Sequence, residues 1–112
     1  MPLGQTIATG GASLAESRAA EAEAFRAAVS RLRQARAGGA GRRAAAVRAT
    51  RRLWQAVLLA VCSPACPLPD ALRDGFGLLG SAVLRELERE QPDLDFLIMV
   101  NEQVVAGLAT YH

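Results

Sequence analysis

The residue types that usually do chemistry are few here, and their spacing gives them little to work with. The single histidine is His112, the last residue, where a fraying terminus cannot hold a general base against a substrate. Cys62 and Cys66 have no histidine to take up a thiol proton, and their separation of four residues around Pro64 matches neither a redox Cys-x-x-Cys pair nor half of a zinc site. Two reduced cysteines near a helix end are expected instead. No glycine-rich phosphate loop precedes a helix, and no acids and histidines cluster at metal-ligand spacing. Glu86, Glu88 and Glu90 read as the solvated side of a helix. The sequence thus predicts a protein that is not an enzyme, with no catalytic residue, no metal and no cofactor.

What remains is binding. All thirteen basic residues are Arg, a bias that GC-rich coding explains as readily as chemistry. Residues 18–52 hold ten Arg against Glu21 and Glu23, a net +8, and residues 70–112 hold three Arg against eight acids, a net −5. The two halves are therefore expected to attract each other. Arg42, Arg43, Arg48, Arg51 and Arg52 form a candidate basic surface, joined by Arg31, Arg33 and Arg36 across a turn. Clustered charge is enough to hold phosphates, but single-strand recognition usually adds aromatic stacking, and Trp54 is the only aromatic nearby. A solvated or protein-facing surface is preferred on that ground to an RNA-binding one.

The elements that would position these residues are helical. A chain of 112 residues supports one domain, and alanine-rich composition with few β-branched residues favours helix over sheet. The all-α reading is a small bundle of about four helices behind a flexible tail over 1–12, with the domain over 13–112. Ser13 with Glu16 fits a capping box that opens helix one, over about 13–37. Its apolar marks, Leu14, Ala22, Phe25, Val29 and Leu32, make a narrow stripe with one buried edge. Gly38, Gly39 and Gly41 break it, glycine being able to reach the left-handed conformation that ends helices. Helix two, about 42–62, carries Val47, Leu53, Trp54, Val57, Leu58 and Val61, and Pro64, Pro67 and Pro69 stop it with a stiff loop. Helix three, about 69–90, has the cleanest stripe, Leu72, Phe76, Leu79, Val83 and Leu87, with Gly75, Gly77 and Gly80 beside it as points of close helix approach. Helix four, about 93–109, turns Leu94, Leu97, Ile98, Val104, Val105 and Leu108 inward. Asn101 falls on that apolar face and is expected to be a structural polar residue bonded within the bundle. No stretch reaches the roughly 18 apolar residues of a membrane span, and the amino end lacks a signal-peptide pattern, so a cytoplasmic protein without membrane contact is predicted.

An ordered series runs through these elements: Leu53-Trp54, Pro64, Pro67-Leu68-Pro69, Leu72-Arg73, Leu97-Ile98, Asn101, then Ala106-Gly107-Leu108, preceded by Ser17-Arg18, Glu21, Phe25 and Leu32. This series resembles the flagellar biosynthesis regulator FlaF family over nearly the whole ordered chain. The resemblance implies a small cytoplasmic factor that binds flagellin as a secretion chaperone, supports flagellin synthesis and opposes the translational repressor FlbT. With the absence of catalytic groups, it leads to an expected groove beside helices two and three for a partner's amphipathic helix, with Leu53, Trp54, Leu68, Leu72 and Phe76 at the groove or its floor. Trp54 is the leading candidate, because Trp is enriched among binding hot spots. The alternative reading is an RNA-binding regulator using the Arg-rich surface of helices one and two.

Overall fold

The computed structural model describes the backbone of residues 13–110 and the side chains of residues 19–108. The expected tail over 1–12, the Ser13–Glu16 capping box and His112 lie outside what is described. Within it the chain is all helix, as predicted: α1 (Ser13–Arg36), α2 (Ala40–Cys62), α3 (Asp70–Leu87) and α4 (Leu94–Thr110).

The breaks between helices have local causes. At the first, Gly39 is extended, with φ −82° and ψ −177°. None of the described glycines adopts the left-handed backbone, so α1 does not end in the conformation anticipated for Gly38, Gly39 and Gly41. At the second, Ser63 leaves the helical region with ψ 138°, and its Oγ accepts the Ala65 N–H at 3.1 Å, which starts the proline-rich loop. At the third, α3 stops at Leu87, short of the expected residue 90. The Glu86 carboxylate accepts the Asp93 N–H at 2.8 Å, and Asp93 Oδ1 accepts the Phe96 N–H at 3.2 Å, capping α4 in the ordinary way. Glu86 was expected on a solvated face, but its side chain is only 14% exposed because it organises this connection.

Packing follows one helix more than the others. α1 runs along both α2 and α4, α3 packs on α2, and α3 and α4 scarcely meet. The spatial order is therefore α4–α1–α2–α3, a curved row in place of a closed ring. The buried edge of α1 is wider than its large residues suggest, since Ala28 and Ala35 are buried along with Ala22, Phe25, Val29 and Leu32. Small side chains there let two neighbours approach one helix. Arg33 pairs with Glu102, and Arg36 lies 2.5 Å from Asp95. These links join the basic first half to the acidic second half, and being about half exposed each contributes roughly 0–1 kcal/mol.

The α2–α3 seam is held differently. A Cβ built on Gly80 would lie 2.7 Å from Leu58 Cδ2, so glycine is what allows the two helices their spacing. Gly75 and Gly77 meet nothing within 4 Å and do not mark such an approach. Two guanidinium groups tie helix ends by donating to carbonyls that lack helical partners. Arg73 Nε bonds Val61 O at 3.0 Å, and Arg51 Nη2 bonds Leu87 O at 2.9 Å.

Candidate protein-binding groove

An open row of four helices leaves its two outer members facing each other across a gap. Residues 88–93 join α3 and α4 at one end, so the helices separate toward the start of α3 and the end of α4. An open cavity of about 320 Å³ lies there, lined by Leu68, Leu72, Phe76 and Leu79 on one side and by Val104 and Leu108 on the other. Gly75 and Gly107 also line it, and a Cβ at either would meet nothing within 4 Å. Gln103 is the polar contribution to the walls.

The apolar surface continues past the rim. Among the described residues, the large exposed hydrophobic side chains are Leu59, Leu72, Leu78 and Met99. Leu72 lines the cavity. Leu78 follows Gly75 by three residues and Ala71 by seven, which puts it on the same edge of α3, and Met99 precedes Gln103 by four on α4. Leu78 is 78% exposed and Met99 46%. Of the four, Leu72 lines the gap itself, and Leu78 and Met99 lie beyond its lining residues on the same two helices.

The five groove candidates named from the sequence separate into two groups. Leu68, Leu72 and Phe76 line the gap. Leu53 is half-buried against the core, and Trp54 has no exposed surface at all. The indole of Trp54 donates to Asn101 Oδ1 at 3.0 Å and packs edge-on to Phe25 with ring centroids 5.5 Å apart. Phe76 joins the groups, half-buried in the groove wall with its ring 6.5 Å from that of Trp54. The open gap that Leu68, Leu72 and Phe76 line accordingly lies between the third and fourth helices, whereas Leu53 and Trp54 on the second pack into the core. Helical periodicity could not reveal this, because it assigns a face to each helix without saying which helix covers it.

Asn101 is fully buried on α4. Its Oδ1 accepts from Trp54, and its Nδ2 donates to Leu97 O at 2.7 Å. No buried side-chain polar atom among the described residues is left without a partner.

The candidate basic surface also divides. Arg42, Arg43, Arg48 and Arg52 are exposed and form no ion pair among the described residues, whereas Arg51 is half-buried and committed to Leu87 O. A second, more polar cavity lies between α1 and α2, lined by Arg31, Gln34 and Arg42. With Trp54 inside the core, none of these arginines has the neighbouring indole that the sequence suggested as a stacking surface. Cys62 and Cys66 are free thiols, and the described residues hold no group of three or more His, Cys, Asp or Glu placed to bind a metal. No described helix is long and apolar enough to cross a membrane.

No curated protein and no solved structure matches the chain. A protein-family model does, that of flagellar protein FlaF, over residues 8–108. This span contains all the residues of the groove and of the Trp54–Asn101 contact, and it takes in nearly the whole sequence. The chain belongs to the FlaF family of flagellar proteins.

Proposed function

We propose that this FlaF-family chain acts in flagellum biogenesis as a cytoplasmic, non-enzymatic factor that binds flagellin, serving as a secretion chaperone and positive regulator of flagellin synthesis, and that it opposes a FlbT-type repressor. The observation that carries this reading is the apolar gap between α3 and α4, lined by Leu68, Leu72, Phe76 and Leu79, with Leu72 exposed at its wall. Laying the apolar face of a partner helix into such a gap is a recurring mode of recognition. Each Å² of apolar surface covered contributes about 25 cal/mol before the costs of association. Opposition to the repressor follows if flagellin and the repressor contend for related surfaces.

The second reading, an RNA-binding regulator, draws on the exposed Arg42, Arg43, Arg48 and Arg52. Salt distinguishes the two, because phosphate contacts release counterions and weaken steeply as salt rises, while an apolar groove loses little. Co-purification with flagellin and, separately, with the FlbT-type repressor, at low and high salt with nuclease treatment, is the test. Salt- and nuclease-resistant recovery of flagellin is expected. Recovery of RNA alone, lost at high salt, would transfer the function to the arginine surface.

A further inference from the structure

The side of the α2–α3 pair turned away from the core carries an ordered pattern of its own. Arg48, Arg52, Gln55 and Leu59 follow one another at steps of four, three and four residues, and Asp70, Asp74, Leu78 and Ser81 at steps of four, four and three, so each set is one stripe of its helix. Every member is exposed. The contacts that hold the seam fix where the stripes point. Arg51, Leu58, Arg73 and Gly80 make those contacts, and each is followed directly by a stripe residue: Arg52, Leu59, Asp74 and Ser81. One residue turns a helix by about 100°. Leu58 meets Gly80 and Arg51 meets Leu87, so α2 and α3 are antiparallel, both turns lead to the same side of the seam, and the two stripes form one face. Leu59 and Leu78, at 77% and 78% the most exposed large hydrophobics among the described residues, stand in its middle within about 2 Å of one level.

Charge is segregated along this face. Arg48 and Arg52 precede Leu59 on α2, and Asp70 and Asp74 precede Leu78 on α3. In antiparallel helices these directions are opposite, so the leucines separate a basic end from an acidic one. Arg48, Arg52 and Asp74 form no ion pair among the described residues. Asp70 lies 3.7 Å from Arg73 but stays 94% exposed, because Arg73 is turned to the Val61 carbonyl. Arg85 and Glu88, exposed further along α3, offset each other. We infer that this face pairs with the same face of a second copy of the chain, about a twofold axis passing between Leu59 and Leu78. Such an axis lays α3 of the second copy over α2 in the same direction, leucine on leucine. Arg52 stands seven residues before Leu59 and Asp70 eight before Leu78, about 10 Å and 12 Å of helix rise. The arginine and the aspartate therefore meet at one level, and the symmetry makes the match twice. Leu72, Phe76 and Leu79 lie across α3 from this stripe, so the dimer leaves the gap between α3 and α4 open and does not rest on the flagellin-binding reading.

Sedimentation equilibrium of the full chain at low salt, over about 10 µM to 1 mM, tests this, since so small an interface belongs to the transient class. The mean mass is expected to rise from that of the monomer toward twice that value, and to rise less as salt screens the charges. Asp70→Arg with Asp74→Arg makes both ends of the face basic, and Arg48→Asp with Arg52→Asp makes both acidic. Each variant alone, its fold checked by circular dichroism, is expected to associate at least about tenfold more weakly. An equimolar mixture of the two is expected to associate as well as the native chain, because each supplies the charge the other lacks. Leu59→Ser with Leu78→Ser, at positions already exposed to solvent, is expected to weaken association at least about tenfold while leaving the helices intact. A native chain that stays monomeric throughout would overturn the inference, as would a charge-reversed variant that associates like the native chain or a mixture that stays dissociated. A dimer that Leu72→Glu dissociates and the paired leucine variant does not would place the interface in the gap, and would also overturn it.

Discussion

Trp54 and Leu72 sit on apolar faces of neighbouring helices, yet one has no surface left and the other stands 36% exposed. The contrast comes from the order of the row. Trp54 is on α2, an inner helix, where Phe25 from α1 and Asn101 from α4 enclose it. Leu72 is on α3, an outer helix, and the fourth helix that would close a ring over it lies across a gap. Identical periodicity thus yields core in one place and exposed apolar surface in the other, and mutations at the two should differ in kind.

The largest expected difference is in stability. Trp54→Ala should cost about 3–5 kcal/mol in chemical denaturation, since it empties a packed site and leaves Asn101 without its donor. Leu72→Ala, with solvent already against the side chain, should cost less than about 1 kcal/mol. A comparable loss at both positions would erase the distinction. Next are the glycines of α3. Gly80→Ala forces a Cβ against Leu58 and should destabilise by about 1–3 kcal/mol, whereas Gly75→Ala meets open space and should stabilise by about 0.5–1 kcal/mol through helix propensity alone. Opposite signs in thermal melts of the two variants would sharpen the contrast between seam and groove. Asn101→Ala removes the acceptor of the buried indole N–H and should cost about 1–3 kcal/mol. The smallest effect is expected at the α1–α4 ion pairs, where Glu102→Gln should change stability by less than about 1 kcal/mol, an effect that disappears in high salt.

Much of the architecture could be read from the residues, and the places where it could not are informative. Four helices follow from alanine content, the stripes of α2 and α3 and the proline loop. The central position of α1 did not, because two of the residues that make it central, Ala28 and Ala35, look like neutral helix formers until neighbours pack on them. Glu86 was read as solvated for a related reason: its partner is a backbone N–H seven residues away, which no side-chain spacing signals. Leu68, Leu72 and Phe76 were legible as candidates for the groove, since a proline loop running into a strong apolar stripe draws attention to them. Trp54 drew it through residue type alone, and type does not report whether a third helix covers the ring. On the α4 wall Val104 and Leu108 are core, as their stripe predicts, and of these wall residues and Gly107 only the glycine is exposed; that the floor of a gap can also be core is something a stripe does not signal.

The account stands on the claim that the gap between α3 and α4 is open for a partner and not required for folding. Leu72→Glu tests this most directly, with unfolding free energy and flagellin recovery measured on the same preparation. A Glu in the first turn of α3 suits the helix dipole, so stability should remain within about 0.5 kcal/mol of the native chain, while recovery of flagellin should be lost. A folded variant that recovers flagellin undiminished, or one that fails to fold, would contradict the claim.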